Sequence, residues 1–399
     1  MTDKKISTDM WEKVDMSTLD KEVIARPSLT YWQDAWRRLK KNHLSMIGLF
    51  FIILMALLAI LGPFFSRFSY SDQNLELGNI GPTMEIYQID DNNYVHMNKE
   101  YKLLEVTEDG HINKRLVPTA EDMMQKYRSY EVAGKEVVID YSFAVAAKKS
   151  GDPDAKKFEI RVDGDSIDIH DKILNKTYWF GSDSLGRDLY IRVIYGARIS
   201  LLIALVATIV NFFIGVLYGG VAGYKGGKTD NVMMRIVDVI ATVPLLLYVI
   251  MLMVIFEPGL KTIMIALGTV YWVNMARLVR GQVLSIKEQE FVLAARTLGA
   301  SPWRILVRHL VPNAMGPIIV ALAMLIPSAI FTEAFLSFIG LGVNAPMASW
   351  GTLANDAVAG LRMYPYQLFF PATFISVTVL AFNFLGDGLR DALDPRLRK

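Results

Sequence analysis

Apolar residues gather in six long runs along this 399-residue chain, and the gap between the fourth and fifth is ordered rather than merely polar. A helix needs roughly 20 predominantly apolar residues to cross a bilayer. The runs over 44–65, 199–224, 236–256, 260–278, 314–338 and 365–386 reach or approach that length. Those over 44–65, 199–224 and 365–386 carry no charged residue; the fourth is crowded by Lys261 and Arg277, whose long stems let the charges snorkel to the interface. Between the fourth and fifth runs, residues 285–312 predict a helix–Gly–helix unit. Ser285 and Glu288 have capping-box spacing. Phe291, Ala294, Ala295 and Leu298 follow at i, i+3, i+4, i+7 on one face. Gly299 stands where a left-handed residue ends a helix. Ser301-Pro302 restarts one with Trp303, Leu306, Val307 and Leu310 as its apolar face, and Pro312 marks a boundary.

The remaining segments are polar. Residues 1–43 are charged, so the first run follows no short basic leader and reads as a retained span. Within them TYWQDAWRRLKKN joins Tyr31, Trp32 and Trp36 to a basic cluster, which suits a helix lying in the interface. Residues 66–197 form one long insert. Phe158, Ile160 and Val162 alternate up to Asp163-Gly164, and Ile167 and Ile169 resume the alternation, a hairpin signal. Residues 118–130 predict a helix with Thr119 as its N-cap. The fold class expected is an all-α polytopic membrane protein of six helices with a small α+β domain inserted between the first two. An outer loop over 339–364 and a tail over 387–399 complete it.

Composition agrees with a membrane protein: 52% of residues are hydrophobic and 19 are Met. A net charge of +2 gives no general affinity for polyanions, which excludes nucleic acid as a partner class. With no cysteine there are no disulfides and no thiolate chemistry. Lys and Arg in the short loops place both termini on the cytoplasmic side. That side would hold Arg26, Arg37, Arg38, Lys40 and Lys41, then Lys225, Lys228, Arg235, Arg277, Arg280, Lys287, Arg296, Arg304 and Arg308, and lastly Arg390, Arg396, Arg398 and Lys399. Arg187, Arg192 and Arg198 count against this, but they close a long insert, where the rule is weak.

Candidate chemistry is sparse. Gly227-Lys228-Thr229 has the ending of a phosphate-binding loop, but the earlier glycine it needs is Ala222, and it follows a span rather than a strand. Neither a nucleotide site nor a nucleophile–base pair is evident, so no cofactor is expected in this chain. His96, His111 and His170 are scattered and read as surface residues. Ionisable residues inside spans are functional candidates. Asp238 either pairs with Arg235 one turn away or faces the path. Glu333 either lines a polar path or caps the outer opening. Gly215, Gly219, Gly220 and Gly223 suit close helix contact, and Pro244 and Pro327 can bend their spans.

LAARTLG followed by LVP resembles the coupling loop of ABC-importer permeases, E-A-A-x3-G-x9-I-x-L-P. Ala294, Ala295, Gly299 and Pro312 match, whereas Leu293, His309 and Val311 depart from it. ASPWRILVRHLVPN is similar to the version in oligopeptide and dipeptide permeases. So are Phe180–Leu201, Met233–Pro244, Glu333–Gly351 and Asn383–Arg398, and with the pre-span RRLKKN region these place the resemblance along about two thirds of the chain, all but the outer insert. The resemblance implies a bacterial inner-membrane subunit that pairs with a second, homologous permease. It further implies two cytoplasmic ATPase subunits that carry ATP and Mg, an extracytoplasmic peptide-binding protein, and a peptide substrate, in contact with membrane lipid. Phe291, Ala294, Ala295, Arg296 and Gly299 would couple to an ATPase, while Glu333 and Asp238 would belong to the path. Nickel, haem or another small solute is the alternative cargo within that family. A membrane sensor with an outer receptor domain is the competing class, though no kinase, cyclase or coiled-coil output region is present.

Overall fold

The computed structural model describes residues 30–144 and 156–394; Arg26, Arg396, Arg398 and Lys399 lie outside them. Helix α1 (Tyr31–Lys41) opens with Thr30 and Gln33 in a reciprocal capping box, buries Ala35 and Leu39, and leaves Trp32 and Trp36 half exposed. Asn42 breaks the chain and caps α2 (His43–Leu61) through the Ser45 N–H. The spanning helices that follow the insert are α3 (Leu189–Lys225), the pair α4 (Gly227–Thr242) and α5 (Leu245–Phe256), α6 (Leu260–Val270) with α7 (Trp272–Ile286), α9 (Pro302–Leu341) and α11 (Tyr366–Leu393). Two short helices lie among them, α8 (Glu290–Thr297) between α7 and α9 and α10 (Trp350–Val358) after α9.

Among the described residues five helices are long and apolar enough to cross a membrane, and α4 with α5 makes a sixth span if the pair is counted as one. That pair is bent by 84° at Val243-Pro244. Pro244 has no N–H to donate, and its ring disfavours a helical residue before it. The helical bundle is drawn together by glycines. A Cβ on Gly48 of α2 would lie 2.5 Å from the Ala381 carbonyl of α11, so only glycine lets the two backbones meet there. On α3 a stripe of glycines faces α7: a Cβ on Gly215 would meet Met275, one on Gly219 the Ala276 carbonyl at 2.2 Å, and one on Gly223 the Arg280 carbonyl. Gly220 turns instead toward Leu306. The packing expected of these residues is what they do.

Among the described residues the insert forms two five-stranded antiparallel sheets. One has the order β10-β1-β2-β3-β4, the other β5-β6-β7-β8-β9. The strands are β1 (Thr83–Gln88), β2 (Tyr94–Met97), β3 (Leu103–Val106), β4 (Ile112–Arg115), β5 (Ala120–Asp122), β6 (Tyr127–Val132), β7 (Lys135–Asp140), β8 (Glu159–Val162), β9 (Asp165–Ile167) and β10 (Asp171–Leu174). Tyr87, Val95 and Leu103 of the first sheet meet Tyr130, Val137, Ile139 and Ile160 of the second in one core. The other face of the first sheet packs Met84, Ile86 and Leu104 against Leu77, Ile80 and Tyr178. The hairpin expected at Asp163-Gly164 is present. Both residues have positive φ, 49° and 99°, as its tight turn requires, and Ile160 pairs with Ile167.

The helix expected over 118–130 is instead the hairpin β5–β6. Asp122 accepts the N–H groups of Met124 and Gln125, and Lys126 takes φ 61°, so a side-chain turn displaces the helix. Thr119 donates from its hydroxyl to the Ser129 carbonyl across the hairpin rather than capping a helix. His96, expected at the surface, is only 9% exposed; its Nδ1 lies 2.8 Å from the Glu85 carbonyl, and burial pushes its pKa down.

Candidate coupling surface

The chain turns sharply between α7 and α9, and Gly299 is the pivot. Its φ is 78°. The Ala300 N–H donates to the Ala295 carbonyl and the Gly299 N–H to the Arg296 carbonyl, at 3.0 and 2.9 Å. This pair of bonds is the Schellman ending, which needs the left-handed residue at the position Gly299 holds. Nothing lies within 4 Å of where its Cβ would be. Glycine is therefore demanded here by backbone conformation and not by crowding. Ser301 accepts the Arg304 N–H, and Pro302 starts α9 as its spacing predicts.

Two expectations about this unit are corrected. Ser285 belongs to the last turn of α7, where its hydroxyl donates to the Gln282 carbonyl, and α8 starts at Glu290 behind Gln289 with no side-chain cap. Pro312 ends nothing, because α9 runs through it. The turn over Leu306–Leu310 is widened to π geometry, with the Val311 N–H reaching the Leu306 carbonyl five residues back. A widened turn just before proline accommodates the missing N–H and the bulk of the ring.

The two faces of α8 also divide differently from the periodicity. Ala295 and Val292 turn inward onto Ile305, Leu306, Leu310 and Val283. Phe291, Leu293, Ala294 and Leu298 stay exposed, and Trp303 and Val307 of α9 join them. Leu298 is 88% exposed and Trp303 58%, which is large for apolar side chains. Arg296 lies over the Tyr224 ring at 5.6 Å, a cation–π contact that sets a charge at the rim. Leu306 and Leu310 extend the underside of the patch into the core of the bundle. Lys287 also ties the loop to α3, donating to the Gly223 carbonyl at 3.2 Å.

The two acidic candidates lie apart from this patch and from each other. Asp238 does not pair with Arg235; its Oδ1 lies 2.9 Å from Nη2 of Arg277, which reaches over from α7. Glu333 has no exposed surface. It accepts from the Ser200 and Ser337 hydroxyls, both at 2.7 Å, and Ser349 reaches Ser337 at 3.3 Å. Its carboxylate joins α3, α9 and the N-terminus of α10 from within one chain.

Sequence reasoning missed a third cluster. Asp183 binds Arg187 and Arg192 while its other bonds hold the Leu185 and Arg187 N–H groups. The three side chains are buried. The signal was the charge density of SDSLGRDLYIR just before a span, too acidic and basic together for an ordinary flank. Among the described residues no cluster of His, Asp and Glu could hold a metal.

Helices long and apolar enough to span, with a helix–Gly–helix unit between two of them, define the class of a polytopic membrane protein. Residues 215–399 match the model of the binding-protein-dependent transport system inner membrane component, and residues 30–82 the N-terminal transmembrane domain of oligopeptide transport permease C. The oligopeptide transport system permease protein OppC of Bacillus subtilis is 40% identical over 99% of this chain and all of its own. The dipeptide permease DppC of the same organism is 42% identical over 95% of this chain and 90% of its own. OppC of Escherichia coli is 34% identical over 98% of this chain and all of its own. A chain from an inward-facing structure of the MetNI methionine ABC transporter aligns over 51% of this chain and 96% of its own, at 18% identity and a TM-score of 0.43. The chain belongs to the OppC/DppC family of ABC-importer permeases, a multi-pass membrane transport subunit.

Proposed function

We propose that this chain is one of two paired permeases in an ATP-driven importer of oligopeptides or dipeptides, and that the patch from Phe291 to Val307 seats a cytoplasmic ATPase subunit. The observation that carries it is an apolar surface, Phe291, Leu293, Leu298 and Trp303, left open on a unit otherwise anchored in the core. Exposed apolar patches of this kind mark partner contacts. No nucleotide-loop sequence is evident, so ATP and Mg would sit on the partner. Peptide cargo follows the names of the relatives, delivered by an extracytoplasmic binding protein.

Placing both termini in the cytoplasm agrees with the arginines that seemed to oppose it. Arg187 and Arg192 are spent on Asp183, and Arg198 donates to the Ala59 and Ile60 carbonyls. They are internal braces, not loop charges available to set orientation. Helix α3 is about 55 Å long, so its outer turns stand clear of a hydrocarbon core of about 30 Å. Glu333, sealed among serines, acts as a brace between helices rather than as a lining of the path.

Retention of the ATPase subunits in a solubilised complex, beside uptake in cells, tests the docking claim. Leu298→Asp and Trp303→Ala should each weaken retention by about tenfold or more, as loss of a central interface residue does. Gly299→Trp should abolish uptake while the chain still inserts. Ala295→Asp acts differently: it buries a charge inside the unit and should reduce the amount of folded chain. Normal uptake by a well-expressed Gly299→Trp variant would overturn the coupling role.

A further inference from the structure

Helix α4 carries polar side chains on a surface where a lipid-facing helix would be apolar. Asn231, Arg235, Asp238 and Thr242 are all exposed. Their spacing, i, i+4, i+7, i+11, lays them in one stripe. The stripe climbs about 16 Å, half of a hydrocarbon core of about 30 Å, and ends at the 84° bend. About 100° round the helix lie Val232, Ile236 and Val239, also exposed, and these suit lipid. Next to the polar stripe on α7, Asn274, Arg277 and Gly281 are exposed three and four residues apart.

One ion pair crosses this surface. Arg277 and Asp238 meet at 2.9 Å, with 44% and 54% of their side chains open. A neighbouring pair shows what a structural brace between the same helices looks like: Arg280 grips buried Asp230 through two bonds, 2.6 and 2.7 Å. The Asp238–Arg277 contact is single, open and made by a long flexible side chain, so it holds weakly. Open charges at membrane depth are stable only against water or protein.

We propose that the α4 stripe lines the cytoplasmic half of the solute path, and that the Asp238–Arg277 pair parts to take the ammonium and carboxylate ends of a peptide in transit. This rests on the importer reading above. Each half of the pair is complementary to one end of a zwitterionic peptide, and the exposed amides of Asn231 and Asn274 can bond to its backbone.

The chain has no cysteine, so a single introduced cysteine is the one thiol on this subunit, read on its own band after the full complex is labelled and its subunits separated. A membrane-impermeant methanethiosulfonate applied to inside-out vesicles should label Asn231→Cys and Thr242→Cys at least about tenfold faster than Val232→Cys and Val239→Cys, since a thiol against lipid loses its thiolate. Equal rates at the two sets would overturn the path face. With the binding protein unaltered, Arg277→Gln should reduce the preference for free-carboxylate over C-amidated peptide by about tenfold, the loss of one charge-assisted bond. Asp238→Asn should do the same for free-amine over N-acetylated peptide. Such ratios do not depend on how much complex is made, and unchanged ratios in both variants would overturn the latch. Failure of the wild-type complex to import any peptide would instead refute the cargo reading, and the labelling contrast would still judge the path face.

Discussion

Asp188 stands just outside the first turn of α3, and a single side chain there makes stability depend on pH. Its carboxylate accepts the Tyr190 N–H at 3.0 Å, a favourable N-cap, but burial dominates and pushes its pKa up to about 7. In the unfolded chain an aspartate titrates at about 3.9, as in model peptides. From about pH 4 to 7 the folded protein therefore keeps a proton that the unfolded chain has released, so stability falls as pH rises through that window and stays lower above it. Asp188→Asn keeps a capping oxygen and removes the titration. Thermal unfolding in detergent at pH 5 and pH 8 should show the wild type losing stability between the two and the variant losing less. The same slope in both proteins would refute the assignment.

Among elements, the glycine stripe of α3 makes the sharpest claim. Gly219→Ala sets a methyl group 2.2 Å from the Ala276 carbonyl, where backbone must move, and should cost about 1–3 kcal/mol. Gly281→Ala on α7 meets open space at a helical φ and should be neutral or stabilising by up to about 1 kcal/mol. Thermal unfolding of the two variants side by side checks the contrast, and similar losses would sink it. That stripe was legible in the sequence because close helix packing requires small residues at fixed spacing. Gly299 was legible for a different reason: a left-handed C-terminus nearly demands it. The inward turn of Ala295 was not, because α8 has eight residues and apolar side chains nearly all round, so periodicity could not choose its buried face. Pro312 misled because a π turn absorbs what a proline disrupts in an α-helix. Residues 118–130 misled because the Asp122 side chain wins a local competition that helix propensity does not register.

At the scale of the whole molecule the insert is a removable module with a firm seat. Strands β1 and β10 pair, Thr83 opposite Leu174, so the chain leaves and rejoins the membrane part at points about 5 Å apart. Its base is fastened at several points. Ser182 donates to the Leu77 carbonyl and accepts the Ile80 N–H, and Gln367 of α11 donates to Asn79 and to the Ser182 carbonyl. Lys99 reaches from the first sheet to the Met363 carbonyl. These bonds tie the base of the insert to the helices, and under the importer reading proposed above the sheets would form the seat for an extracytoplasmic binding protein. Replacing residues 83–174 by a short Gly-Ser bridge removes both sheets and leaves the base bonds of Leu77, Ile80 and Ser182 in place. The shortened chain should still insert, still retain the ATPase subunits through the Leu298 patch, and lose uptake that depends on the binding protein by about tenfold or more, the scale of a lost interface hot spot. Uptake and binding-protein affinity both at wild-type level would show that the sheets serve another purpose. Loss of ATPase retention as well would show that the two ends of the molecule do not fold independently, and that the seat at Ser182 is needed to hold the bundle itself.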